Sequence, residues 1–142
     1  MSVQLKQNPD MSLGLQGTDA DDGGFLKINI PYNTGTVLTQ STMIANRRYI
    51  IKAITGVVDA TASNAVTATI YRAPSGTALG SGTALHTGTF NLQGTANTNQ
   101  SLTLSTTAST LDIAAGTRIG AVISGALGAA GNGTLTITLA PA

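Results

Sequence analysis

From Phe25 to Leu139, apolar side chains recur at every second position in short runs separated by turn-forming residues. A period of two puts alternate side chains on opposite faces of a strand, and no amphipathic helix uses that spacing. In Leu26–Pro31, Leu26, Ile28 and Ile30 oppose Lys27 and Asn29. In Ala65–Arg72, Val66, Ala68 and Ile70 oppose Thr67, Thr69 and Tyr71. In Ser101–Ser105, Leu102 and Leu104 oppose Thr103, and in Thr134–Leu139, Leu135, Ile137 and Leu139 share one face. Val37–Ile44, Thr87–Gln93 and Arg118–Ser124 read as further strands, and Leu111 and Ile113 flank Asp112 before an Ala114–Gly116 turn. Tyr49–Val58 is more uniformly apolar and reads as a strand buried on much of both faces.

The punctuation fits this reading. Pro31–Gly35 is expected to form a turn, Asp59–Asn64 a polar loop, and Gly125–Gly133 a flexible loop whose Asn132-Gly133 pair suits a type I′ turn. Gly76-Thr-Ala-Leu79 and Gly82-Thr-Ala-Leu85 form a local repeat. Two copies are too few for a solenoid, so they read as loop or edge structure. No helix of standard length is expected; one near Ser41–Asn46 would be cut short by the strand character of Arg47–Ile51. The expected fold is all-β: a single jelly-roll-like β-sandwich of about eight antiparallel strands.

Composition agrees with strands and limits the chemistry. Only 9% of the 142 residues are charged, and every acid is Asp, against roughly 25% charged residues in an ordinary globular chain. Without Glu and with little Lys, helices lack their usual surface residues. Thr, at 23 positions, suits exposed strand faces. Leu, Ile, Val, Phe and Met make up roughly a quarter of the chain, enough for one core. With no Trp and 4% aromatics, that core is thin, and oligomerisation or docking on a larger surface would add stability.

Met1–Gly24 stands apart. It carries Asp10, Asp19, Asp21 and Asp22, with Val3, Leu5, Leu13 and Leu15 at no steady period. It reads as an extended arm, either a disordered tail or a strap ordered by a partner, joined to a sandwich domain at 25–142. Fully extended it would reach roughly 80 Å, at ~3.3 Å per residue.

Motif tests return little chemistry. His86 is the only histidine and lies in a polar stretch, so it reads as a loop or surface residue rather than a base. No G-x-S-x-G elbow is present. Asp59 and Asp112 are the only acids in the strand-rich region, a poor start for a paired-carboxylate hydrolase. Asp19–Gly24 meets only part of a calcium-loop pattern, so it reads as a solvated linker, with a weak calcium site as the sharper alternative. The chain has no Cys, which removes disulfides and thiol chemistry and disfavours zinc. No phosphate-binding signature occurs, and no cofactor is expected. A formal net charge of +1 gives no general attraction to nucleic acid or an anionic membrane. Ile119–Ala130 is too short and glycine-rich to span a bilayer, and Met1–Leu15 lacks the apolar core of a secretory signal. The sequons at Asn99 and Asn132 are therefore read as chance. Arg47-Arg48, with Lys52 nearby, is the only basic cluster; it suits an acidic protein surface or an inter-subunit ion pair better than nucleic acid.

Four segments, Tyr49–Gly56, Thr69–Thr77, Thr89–Asn97 and Leu111–Gly120, resemble small bacteriophage proteins that decorate and cement capsids. The resemblance runs from Arg48 onward. It implies a jelly-roll protein without catalytic residues, forming homotrimers on the major capsid protein at three-fold or quasi-three-fold positions. Such a protein is made in the host bacterial cytoplasm and resides on the virion exterior. Val3, Leu5, Lys6, Leu13, Leu15, Arg47 and Arg48 are the candidate capsid contacts. The same composition also suits a fibre, spike or tail-associated β-domain with receptor or carbohydrate binding. A carbohydrate module would need exposed aromatics from among Phe25, Tyr32, Tyr49, Tyr71 and Phe90.

Overall fold

The computed structural model describes residues 24–142. Its strands are β1 (Leu26–Asn33), β2 (Thr39–Ile44), β3 (Tyr49–Ala60), β4 (Thr67–Ala73), β5 (Thr83–Ala84), β6 (Phe90–Asn91), β7 (Thr98–Ser101), β8 (Asp112–Ile113), β9 (Arg118–Ile123) and β10 (Asn132–Pro141). A 3₁₀ turn spans Leu79–Ser81, and a single helical turn, α1, spans Ala108–Leu111. Among the described residues one sheet has the order β1-β10-β3-β7, with β8 also on β3. The other has the order β2-β9-β4-β5, with β6 also on β4. Every pairing is antiparallel. The first strand pairs with the last, the second with the next to last, and so inward. That nesting is jelly-roll connectivity, as the sequence pattern led one to expect.

The inward faces of both sheets merge into one apolar cluster that includes Ile30, Ile54, Ile70, Phe90, Ile119, Leu135, Ile137 and Leu139. Burying each such side chain contributes roughly 1.5–3 kcal/mol. Scarce aromatics put the weight on Phe90, which crosses the sandwich to Gly56: a Cβ there would stand 3.0 Å from the Phe90 ring and 2.9 Å from Leu135. Both leucines of the Gly-Thr-Ala-Leu repeat, Leu79 and Leu85, are buried anchors.

Several boundaries differ from the sequence reading. β1 runs through Asn33, so Pro31 and Tyr32 are strand residues. Pro31 is tolerated because, among the described residues, β1 is an edge strand with no strand on its second side. Leu26 keeps its place in the alternation but lies at the open end, 39% exposed. The turn begins at Asn33, whose carbonyl accepts from Thr36 N and whose Oδ1 accepts from Gly35 N. β2 starts at Thr39 rather than Val37, and Ser41–Ile44 is strand, not helix. The third strand continues to Ala60, and the seventh covers Thr98–Ser101 rather than Ser101–Ser105.

The third strand also changes face. Tyr49 and Ile51 point inward, then Ile54 and Val58 do. The register explains the switch: Leu139 pairs Ile51 while Thr138 pairs Ala53, which leaves Lys52 as a bulge. One extra residue inverts the parity of everything after it. Gly125–Gly133 is fastened rather than loose. Leu127 is buried, its carbonyl accepts from Asn64 N, and the Ala130 carbonyl accepts from Ser63 N. Asn132 and Gly133 open β10 instead of forming a type I′ turn.

Candidate functional site

Antiparallel strands alternate in direction, so every second connection lies at the same end of the sandwich. β1 starts at one end, and the β2–β3, β4–β5 and β8–β9 connections return to it. The charges follow this geometry. Lys27 is the second residue of β1, Arg47 and Arg48 lie between β2 and β3, and Lys52 is the bulge of β3. Arg72 is near the end of β4, and Arg118 begins β9. Every basic residue among the described residues therefore sits at one end, with Asp112 as the only acid there. The opposite end carries Asp59. Asp59 and Asp112 are thus separated by the length of the sandwich and form no carboxylate pair.

The cations are not equivalent. Arg48 donates twice to Asp112, from Nε to Oδ1 at 2.8 Å and from Nη2 to Oδ2 at 2.6 Å. This fork-to-carboxylate geometry is the strong form of ion pair. The bond to Arg48 holds the Asp112 carboxyl below its ordinary pKa, and the same bond raises that of Arg48. Arg72 reaches across from the other sheet to the Asp112 carbonyl at 3.4 Å. Arg118 is spent on structure, donating to Ser41 Oγ and to the carbonyls of Pro74 and Thr77. Lys27, Arg47 and Lys52 are exposed, and none has a carboxylate partner among the described residues. Lys27 and Lys52 flank β10 near Thr138, roughly 10 Å apart at two strand spacings.

Of the residues expected to touch a partner, Arg47 and Arg48 are on the surface at this basic end. Val3, Leu5, Lys6, Leu13 and Leu15, like the Asp19–Asp22 calcium alternative, lie outside the described residues. The sequence reading missed Lys27, Arg72 and Arg118 as members of the cluster. Their signal was available: each stands next to a strand terminus, and counting reversals assigns those termini to one end.

His86 corrects a second expectation. It is not on the surface but 6% exposed. β5 pairs with Tyr71 and Arg72, and β6 pairs with Thr67 and Ala68, which leaves the Ile70 amide between two short strands. His86 fills the gap: its Nε2 accepts from Ile70 N at 2.9 Å, while Nδ1 lies 3.4 Å from the Thr87 carbonyl. Phe90 packs edge-on against the ring, centroids 6.0 Å apart. An accepting Nε2 requires the proton on Nδ1. Burial pushes the imidazole pKa down, partly offset by the Thr87 and Gly88 carbonyls. The role this arrangement gives His86 is that of a backbone cap in the ladder.

The outer face of the β1-β10-β3-β7 sheet carries a shallow groove of about 510 Å³, lined by Thr55, Gly56, Val57, Asn99, Gln100, Ser101, Thr134 and Thr136. It contains no charge and no aromatic ring. Gln100 is committed elsewhere, exchanging hydrogen bonds with the Asn91 backbone at 2.9 Å in both directions. Of the aromatics a sugar could stack on, Tyr32, Tyr49 and Phe90 are buried, Tyr71 is half-buried, and Phe25 is 45% exposed.

Among the described residues no group of three or more His, Cys, Asp or Glu side chains could hold a metal ion, and no helix is long and apolar enough to cross a membrane. No family model, no curated protein and no solved structure matches this chain.

Proposed function

We propose that this chain is a structural virion protein that binds the outside of an icosahedral phage capsid through the major capsid protein and stabilises it, without catalytic activity. The observation that carries the reading is the charge difference between the two ends. A module riding on a lattice presents one end to the lattice and the other to solvent. Here the end with Arg47, Lys27 and Lys52 offers an acidic surface cations that have no carboxylate partner among the described residues. The far end is closed by Thr, Ser, Asn and Gly loops. Weak contacts of this kind become strong retention when repeated across a lattice. The resemblance of the four segments supports the same reading.

Assembly as a homotrimer is part of the proposal. It is supported by the β1–β2 side, where two sheet edges have no further strand among the described residues and Val37, Leu38 and Ile44 are 65%, 42% and 69% exposed. Exposed apolar side chains beside open strand edges are surface that association covers. The test is sedimentation with undecorated heads. The full chain is expected to pellet with intact heads, and an Arg47→Glu, Lys52→Glu variant to stay in the supernatant. Failure of the full chain to pellet with intact heads refutes the reading. The groove supports a second reading, a tail-associated or fibre domain that binds a neutral receptor glycan. Copy number separates the two: hundreds per particle for decoration, a dozen or fewer for a tail or fibre.

A further inference from the structure

One flank of the sandwich is stitched from sheet to sheet by a run of hydrogen bonds. The carbonyl of Ile54 in β3 accepts from Leu102 N, that of Thr103 from Thr87 N, that of Leu85 from Ser105 N, and that of Ile70 in β4 from Leu85 N. The Ile70 amide closes the run by donating to His86 Nε2 at 2.9 Å. Every acceptor in this seam is a backbone carbonyl except the last, which is an imidazole nitrogen. The strands it fastens are short: β5 and β6 hold two residues each, so few ladder bonds resist an opening there. Beneath them Leu85, Phe90 and Leu92 are fully buried. We infer that His86 is an acid-operated latch: a proton on Nε2 breaks the one side-chain link of the seam and frees β5, β6 and Leu102–Ser105 from the sandwich while β10 and its neighbours stay folded.

The chemistry of the ring supports this assignment. An imidazolium donates from both nitrogens and accepts at neither. A proton on Nε2 therefore removes the bond to Ile70 and sets one N–H against another. Burial resists that proton and the Thr87 and Gly88 backbone favours it, while no charged group contributes to the balance. Among the described residues β5, β6 and Leu102–Ser105 carry no ionisable side chain. On β4, Tyr71 alternates to the outer face, and Arg72 turns to the Asp112 carbonyl. On β3, Tyr49 donates to Asn46 Oδ1, and Lys52 and Asp59 are exposed. The seam thus has one titrating member, and its opening follows that member's charge. The inference does not rest on the capsid reading. For any partner, opening in acid would uncover the apolar surface of Leu85, Phe90 and Leu92.

Backbone amide exchange of the full chain, read residue by residue by NMR and corrected for intrinsic rates, tests the latch. The amides of Ile70, Leu85, Thr87, Leu102 and Ser105 are expected to share one protection, lower than that of Ile137 in β10. Between pH 7.5 and 5.5 that shared protection should fall by up to about tenfold, because the released imidazole takes its proton with the ordinary pKa near 6.5. His86→Gln, whose amide oxygen replaces Nε2 as acceptor but does not titrate, should hold the seam's protection constant over the same range. Seam amides as well protected as Ile137 at both pH values overturn the inference, because the flank would then open only with the whole fold. A pH-independent protection in the unsubstituted chain also overturns it, and neither of these readouts needs a variant. An equal acid loss in His86→Gln assigns the opening to another group and overturns it as well.

Discussion

At one end of the sandwich the strand connections are held by guanidinium groups, and at the other by backbone amides closed over a buried leucine. The basic end is clasped by Arg48 on Asp112, by Arg72 on the Asp112 carbonyl, and by Arg118 on Pro74 and Thr77. At the far end Ala62 N donates to Leu92, Ser63 N to Ala130, Asn64 N to Leu127 and Asn64 Nδ2 to Ala126. Leu127 plugs that end at 1% exposure. Gly131, at φ 132°, leaves no room for a side chain: a Cβ would stand 2.8 Å from Leu127. The difference is one of medium. Exposed ion pairs are screened and contribute little to stability while offering charge to a partner. Buried apolar contacts are indifferent to salt and carry the fold. The two ends should therefore fail under different perturbations.

The largest expected effect is at the far end. Leu127→Ala should cost about 2–5 kcal/mol, the transfer loss plus an unfilled cavity, read as a shift of the urea midpoint. The loss should be the same in 0.05 and 0.5 M salt. A cost below ~1 kcal/mol would mean that the Gly125–Gly133 loop is not the plug described here.

His86 belongs to neither end, which makes it a reference between them. His86→Ala strands the Ile70 amide in the interior and should cost about 1–3 kcal/mol. Its titration has a definite sign. The folded imidazole pKa lies below the ordinary 6.5, so the unfolded chain binds the proton more readily. Stability is complete above pH 6.5 and falls as the pH drops below it. His86→Gln, which does not titrate, should remove that part of the decline between pH 7.5 and 5 in thermal melts. An unchanged decline would assign the acid sensitivity to other groups.

How much of this was legible depended on whether parity survived along each strand. Val66, Ala68 and Ile70, and Leu135, Ile137 and Leu139, kept strict alternation and were placed on the correct face. Tyr49–Ala60 did not, because the Lys52 bulge inverts parity and no local residue preference marks it. Pro31 looked like a turn because proline cannot complete a ladder; that argument fails on an edge strand, and edge status is a property of topology. His86 looked exposed because its neighbours are polar, yet the gap it fills exists only once β5 and β6 both lie on β4. The basic end needed strand direction as well as composition. The cluster Arg47-Arg48-Lys52 was visible as a run, whereas Lys27, Arg72 and Arg118 join it only through register.

The acid limb should expose the basic end next. The Asp112 carboxyl is held below its ordinary pKa, so its contribution is present above about pH 4 and is lost as the pH falls through its lower folded value. Asp112→Asn should lower the melting temperature slightly at pH 7 in low salt, and by less as the pH falls below about 4. It should also narrow the gap between low-salt and high-salt melts. A salt-independent loss would show that Asp112 acts through packing, and the contrast between the ends would weaken.

The smallest effect is expected from Tyr32, near the far end, and there the sign is more informative than the size. Its side chain is 2% exposed, and its hydroxyl is buried without a hydrogen-bond partner among the described residues. Burial and the charge of Asp59 push its pKa up to about 12. Removing an unpaired buried hydroxyl takes away a desolvation cost rather than a bond, so Tyr32→Phe should be neutral or stabilise the chain by up to ~1 kcal/mol at pH 7. Because the folded phenol holds its proton more tightly than the unfolded one, stability should fall as the pH rises from 10 towards 12. Tyr32→Phe should flatten that alkaline limb while leaving the acid limb untouched, and Asp112→Asn should do the reverse. Were both substitutions to alter the same limb, the two ends would not be independent, and the charge division between them would not set how each one opens.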